Sequence, residues 1–144
     1  MRLRPATEAD RDFFLRVRRE AFRELVETTY GCWDEDVQRE RSNGAFDRGP
    51  IQIVEKDDGP VGYLSVRREP DHDFLSGVAL LASAQRRGLG TAVVLSVVED
   101  ARCRGVPLGL SVYLANPARR LYERLGFRLL RIEPPRVFME WQAG

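Results

Sequence analysis

The stretch Asn116-Pro117-Ala118-Arg119-Arg120-Leu121-Tyr122-Glu123-Arg124-Leu125-Gly126-Phe127 carries its own start and stop signals for a helix. Asparagine is a favoured N-cap because its side-chain oxygen accepts a backbone N–H that the helix leaves orphaned. Proline suits the first helical position, where the lost N–H is no loss. Gly126 closes the segment, since glycine takes the left-handed turn that ends helices at little cost. Ala118, Tyr122 and Leu125 fall on one helical face. On that face Tyr122 reads as a core aromatic, and Asn116 reads as the cap.

Working back along the chain, Leu108–Tyr113 reads as a strand. Gly90–Arg104 reads as a helix with Val94, Val98 and Ala101 on one face, ending at Gly105. Between a strand at Asp73–Leu81 and that helix lies Gln85-Arg86-Arg87-Gly88-Leu89-Gly90-Thr91. A chain turning from strand into helix aims several unpaired N–H groups at one spot, and the helix dipole favours an anion there. Glycines at 88 and 90 let a ligand approach the backbone without meeting a Cβ. The segment therefore reads as a phosphate or pyrophosphate site, or as an ordinary turn with two convenient glycines. A dinucleotide fingerprint fits less well, because position 93 is Val and Leu108–Ala115 has no acidic residue.

The remaining segments complete a mixed α/β order. Arg2–Pro5 is a short strand, and Thr7 with Asp10 three residues on resembles a capping box. Phe14, Val17, Ala21 and Leu25 predict an amphipathic helix over Glu8–Val26, broken at Glu27–Gly31, with Arg16 and Glu20 spaced as a surface ion pair. A short polar helix is expected over Asp34–Arg41 and a loop over Ser42–Pro50. Ile51–Glu55 and Val61–Arg67 form a hairpin about Asp57-Asp58-Gly59. Phe127–Ile132 and Val137–Trp141 are the last strands, and the latter is a candidate for edge pairing across a dimer. The β-α-β segment at 73–113 predicts a parallel pair with a right-handed crossover.

Composition removes whole reaction classes. The chain has 144 residues, 43% of them apolar, which suits a single domain with one real core. Its 23 basic and 22 acidic residues leave a net charge of +1, so no global field draws nucleic acid or an anionic membrane. No apolar run is long enough to span a bilayer and no signal peptide is evident, so the expected address is cytoplasmic. Lys56 is the only lysine and lies in a turn, which excludes a Walker loop and a pyridoxal-phosphate Schiff base. His72 is the only histidine, and Cys32 and Cys103 lie far apart, so no metal site or disulfide scaffold is expected.

Gln-x-x-Gly-x-Gly at 85–90, followed by Asn, Ala, Tyr and Gly-Phe in register at 116–127, resembles the GCN5-related N-acetyltransferase (GNAT) family. The element order matches from Arg2 to Glu140. The resemblance implies a single-domain α/β fold, a mixed and mostly antiparallel sheet with helices on both faces and a splayed parallel strand pair. It implies acetyl-CoA as cosubstrate and no metal. Gln85, Arg86, Arg87, Gly88, Leu89, Gly90 and Thr91 would cradle the pyrophosphate. Leu80, Leu81 and Ala82 would pair with the pantetheine arm through their backbones, the Leu80 amide polarising the thioester carbonyl. Asn116 and Arg119 join the cofactor-binding set, and Tyr122 would protonate the departing CoA thiolate.

The acceptor would be an amine of a small molecule or peptide, held by Glu27, Tyr30 and Trp33; Trp33 also reads as a packing residue. Many relatives are thought to place a carboxylate on the central strands as base, but no acidic residue lies between Asp73 and Glu99. Glu69, Asp71, His72, Asp73, Glu24, Glu27 or a water chain are left. That gap motivates a second reading, a silent acyl-CoA-binding module. The arginines at 119, 120, 124, 128, 131 and 136 motivate a third, an RNA contact, although a solvated charged face is the commoner meaning of such a cluster. Neither a nucleic-acid nor a membrane partner is expected, and monomer and homodimer are both open.

Overall fold

The computed structural model describes residues 1–143. Among the described residues, seven strands and four α-helices follow the order expected: β1 Arg2–Pro5, α1 Arg11–Tyr30, α2 Glu35–Arg48, β2 Gln52–Lys56, β3 Gly59–Arg68, β4 Asp73–Leu80, α3 Leu89–Arg104, β5 Leu108–Tyr113, α4 Arg119–Arg124, β6 Arg128–Glu133 and β7 Arg136–Trp141. The strands follow the order β1-β2-β3-β4-β5-β7-β6 in a mostly antiparallel sheet, with β4 and β5 parallel. The chain divides into two compact units, Met1–Ser65 with Gly77–Gly90, and Val66–Ser76 with Thr91 onward.

In the first unit, a single 3₁₀ turn at Glu8–Asp10 leads into α1. Asp10 sets that start: one carboxylate oxygen accepts the Thr7 N–H at 2.8 Å, and Arg4 grips both oxygens at 2.8 and 3.0 Å. The Arg4 guanidinium holds the Asp10 carboxyl below the usual carboxylate range. The helix passes the expected stop at Val26 and runs to Tyr30, where Gly31 at φ +93° caps it and donates its N–H to the Glu27 carbonyl. The Arg23–Glu27 pair at 3.4 Å ties the first residue of the segment expected to break to the turn before it.

The polar helix is also longer than its composition suggests. Asp34 caps α2 by accepting the Asp36 and Val37 N–H groups at 3.1 and 3.2 Å, and the helix continues through Ser42-Asn43-Gly44 to Arg48. Weak local propensity is overridden by tertiary anchoring. Phe46 packs on Phe14 with ring centroids 5.5 Å apart, and Arg11 on α1 bonds both Asn43 and Asp47. The buried cluster of this unit is Phe14, Val17, Ile53, Tyr63, Ala79 and Leu81.

In the second unit, β4 pairs with β5 from Asp73↔Leu108 to Leu75↔Leu110. Asp73 is fully buried and forms an ion pair with Arg104, which also donates to the Glu69 carbonyl at 3.0 Å. Val94, Val98 and Ala101 are buried, as the periodicity of α3 predicts. β7 is not an edge. It pairs with β5 on one side and β6 on the other, so the strand proposed for dimer pairing is already occupied along both edges. The outer strand is β6, whose six residues are all exposed.

Candidate functional site

The first unit carries the segment from Leu80 to Gly90. Leu81 donates its N–H to the Val61 carbonyl of β3 at 2.8 Å. Successive strand amides alternate in direction, so the Leu80 N–H is aimed at the opposite side of β4 from β3. A 3₁₀ turn, Ala82–Ala84, follows directly. Ala84 donates to the Leu81 carbonyl at 2.9 Å, and the Gln85 side-chain amide donates to the Leu80 carbonyl at 3.0 Å. Gln85 thus ties the loop back to its strand. The Ala82 N–H is taken by a side chain from α1, the Glu20 Oε1, at 3.0 Å.

Beyond Gln85 the backbone changes hand. Arg86 has φ +62°, unusual for a residue with a Cβ, and Gly88 has φ +75°. Left-handed residues interleaved with ordinary ones turn consecutive N–H groups inward into a concavity that suits an anion, and α3 starts at the next residue, Leu89. A left-handed non-glycine residue stores roughly 1–2 kcal/mol of strain. A Cβ added at Gly88 would meet nothing within 4 Å, and one at Gly90 would sit 3.8 Å from Leu80 Cδ1. The glycine at 88 therefore answers to backbone conformation and leaves open space in front of it. Arg86 and Arg87 are both exposed.

The second unit carries Thr91, in the first turn of α3, and the segment around Asn116. Asn116 Oδ1 accepts the Ala118 N–H at 2.9 Å, as its reading as a cap requires. Residues 117 and 118 form a turn before α4 proper begins at Arg119. The Arg119 Nε is buried and has no hydrogen-bond partner among the described residues. Such an orphaned donor, beside a turn of backbone amides, suits an anionic or carbonyl ligand. Tyr122 is buried and meets the Phe127 ring edge-on at 5.6 Å. Burial penalises the phenolate and pushes its pKa up to about 12, so the hydroxyl keeps its proton at neutral pH.

The three acceptor candidates lie in the first unit, and each has a partner of its own. Glu27 pairs with Arg23, and both are about half exposed. Tyr30 is 52% exposed, with the Arg41 guanidinium 6.0 Å from its ring centroid. Trp33 donates Nε1–H to Glu35 at 3.3 Å, and Glu35 is itself gripped by Arg19, which holds that carboxyl below the usual range. Trp33 is thus part of a clasp between α1 and α2. Of the remaining base candidates, His72 pairs with Asp71 in an exposed loop at 2.8 Å, and Asp73 is committed to Arg104.

Glu20 is the residue the sequence reading passed over. The Arg16–Glu20 pair expected on the helix surface is present at 3.2 Å, but the other Glu20 oxygen reaches the Ala82 amide, 62 positions away. No local spacing signals that contact.

Among the described residues, no helix is long and apolar enough to cross a membrane, and no group of three or more His, Cys, Asp or Glu side chains is placed to hold a metal. A search of curated protein sequences returns no significant match. Solved structures share the fold over 99% of this chain. The PaiA N-acetyltransferase of Thermoplasma acidophilum, solved with coenzyme A, superposes with a TM-score of 0.78 at 15% identity and 98% coverage of its own chain. An acetyltransferase of Thermus thermophilus gives 0.76 at 22% identity and 96% coverage. The ribosomal-protein-S18-alanine N-acetyltransferase of Escherichia coli gives 0.71 at 19% identity and 94% coverage. A sequence profile described as the acetyltransferase (GNAT) family matches residues 18–127, so the strand-to-helix loop and the Asn116–Phe127 segment fall within one match, and the chain belongs to that family.

Proposed function

We propose that this protein transfers the acetyl group of acetyl-CoA to the amine of a small molecule or peptide. The observation that carries the reading is the turned backbone at Arg86–Gly88, a ready anion cradle at the start of α3. Acetyl-CoA supplies an activated acyl group and a pyrophosphate anion. The residues fit it: Gln85 to Thr91 take the pyrophosphate, with Arg86 or Arg87 reaching a phosphate. Leu80, Leu81 and Ala82 follow the pantetheine arm. The Leu81 and Ala82 N–H groups are engaged by Val61 and Glu20, so the arm's amide donor on this strand is Leu80. Asn116 and Arg119 complete the cofactor contacts, the orphaned Arg119 Nε being the supporting feature. The chemistry is attack by a neutral amine on the thioester, with the Leu80 amide bonding the carbonyl oxygen as negative charge builds on it.

Tyr122 delivers a proton to the departing thiolate. Its raised pKa supports the role, because the proton is still in place at the pH of catalysis. Tyr122→Phe is expected to lower kcat by about 100-fold at neutral pH. The wild-type rate should also fall as pH rises toward 12, a limb the variant lacks. The same shift bears on folding. A phenol raised above its ordinary value of 10.0 contributes stability fully below that pH and loses it as pH climbs toward 12. A Tyr122→Phe enzyme with unchanged kcat across the range removes the acid from the scheme. Glu27, Tyr30 and Trp33 are proposed for the acceptor side, Glu27 drawing a cationic amine.

The test of the whole reading is a set of thermal melts with acetyl-CoA, CoA, NAD and ATP at matched concentrations. A ligand at ~100 times its Kd adds about 2.7 kcal/mol, a rise in Tm of roughly 5–11 °C for a domain of this size. A shift with acetyl-CoA and CoA alone is the expected result, and no shift with either sinks the reading. One observation favours a second reading, an acyl-CoA-binding module without turnover: residues 74–98 contain no acidic side chain to serve as base. Consumption of acetyl-CoA with any amine in a panel excludes it.

A further inference from the structure

Five hydrogen bonds hold the end of β4 and the turn that follows. Four of them are made within the sheet or the turn: Leu81 N–H to the Val61 carbonyl, Ala84 N–H to the Leu81 carbonyl, Gln85 N–H to the Ala82 carbonyl, and the Gln85 side-chain amide to the Leu80 carbonyl. The fifth is made by a side chain from a helix, Glu20 of α1, whose Oε1 accepts the Ala82 N–H at 3.0 Å. Ala82 opens the 3₁₀ turn, so its N–H has no acceptor within that turn. The carboxylate is itself steered, because Arg16 Nε donates to Oε2 at 3.2 Å. Glu20 keeps 32% of its side-chain surface, and the bond draws its strength from the charge on the acceptor.

We infer that Glu20 is a positioning residue for the cofactor site: its carboxylate pins the Ala82 amide to α1 and so fixes the backbone between the Leu80 amide and the Arg86–Gly88 turn. The inference rests on the acetyl-CoA reading for what that backbone binds. Without the bond, the Ala82 N–H turns to water, the 3₁₀ turn loosens, and CoA must order the segment as it binds. Both Glu20 oxygens have partners, which marks the residue as a holder of backbone and not as the acceptor of the amine proton. The required property is a hydrogen-bond acceptor at this place, which glutamine also offers and alanine does not.

The experiment compares wild type, Glu20→Gln, Glu20→Ala and the surface control Asp12→Ala, using CoA titration calorimetry and amide hydrogen exchange without ligand. A bond to a charged group corresponds to about a tenfold change in affinity or more. Glu20→Ala is therefore expected to weaken CoA binding about tenfold and to speed exchange over residues 82–88, with exchange elsewhere unchanged. Glu20→Gln, which keeps the acceptor without its charge, should fall between wild type and Glu20→Ala in both, and Asp12→Ala should alter neither. Wild-type affinity and wild-type exchange in Glu20→Ala overturn the inference alone. A Gln variant as weak as the Ala variant also overturns it, since the charge and not the bond would then be at work. A wild type that binds no CoA overturns the acetyltransferase reading and this inference with it.

Discussion

Gly62→Ala is expected to cost about 3 kcal/mol of stability and to lower Tm by roughly 10 °C, read by calorimetry or urea unfolding. Gly62 is buried in β3, opposite Val54 of β2. A Cβ built there would lie 2.3 Å from the Ala79 carbonyl oxygen, 2.7 Å from Leu80 Cδ2 and 3.1 Å from Leu80 Cα. Two of those three atoms are backbone and cannot swing aside as a flexible side chain can, so β4 itself has to move away from β3. The end of β4 is the part that carries the Leu80 amide, so the loss of stability should come with weaker CoA binding. Gly44→Ala makes the opposite case. Its Cβ would meet only the tip of the Arg48 side chain, at 3.3 Å, and alanine is favoured over glycine within a helix by about 1 kcal/mol. That variant should match or exceed the wild-type Tm. A Gly62→Ala protein as stable as wild type would show that β3 and β4 are not held at this spacing.

The elements most legible in the sequence are those whose boundaries are chemical. Leu108–Tyr113 and the helix ending at Arg104 were readable almost to the residue, because a proline or a glycine stands at their ends and alternate or helical faces are apolar. Where the boundary is set by tertiary contact, local reasoning stops short. Ser42-Asn43-Gly44 reads as loop, yet Phe46 against Phe14 and Arg11 across to Asn43 and Asp47 keep it helical. Strand neighbourhood is equally hidden: nothing in Val137–Trp141 says that β6 folds back outside it. The candidate site divides the same way. The turn at 85–88 was legible because a left-handed turn ahead of a helix selects glycine, although Arg86 at φ +62° shows that one such position tolerates a side chain. The hold of Gln85 on Leu80 and of Glu20 on Ala82 was not legible, because a glutamine or a helix-surface glutamate has many ordinary uses. The proton acceptor is illegible in both: the strand carboxylate is missing from the sequence, and Asp73 is spent on Arg104.

Gly88→Glu is expected to lower CoA affinity by at least about 100-fold while leaving the protein folded. The backbone at 88 sits at φ +75° with no atom within 4 Å of the added Cβ, so the substitution meets no wall and costs only the strain of a left-handed residue, roughly 1–2 kcal/mol. Arg86 carries the same kind of strain two residues earlier. What the glutamate does bring is a carboxylate on the turn proposed to hold the pyrophosphate. Two like charges at 4 Å repel by about 4 kcal/mol in a partly screened site, about a thousandfold in affinity, and side-chain flexibility and salt reduce that figure. Gly88→Ala separates charge from strain. It imposes the same backbone cost on the free and bound protein, so its CoA affinity should fall about tenfold at most, through the methyl group alone. The salt dependence should separate them further, the Glu variant recovering part of its affinity as ionic strength rises and the Ala variant following the wild type. Equal affinity for CoA in all three proteins would mean that the turn at 86–88 is only a corner between strand and helix, and the pyrophosphate would have to be sought elsewhere on the chain.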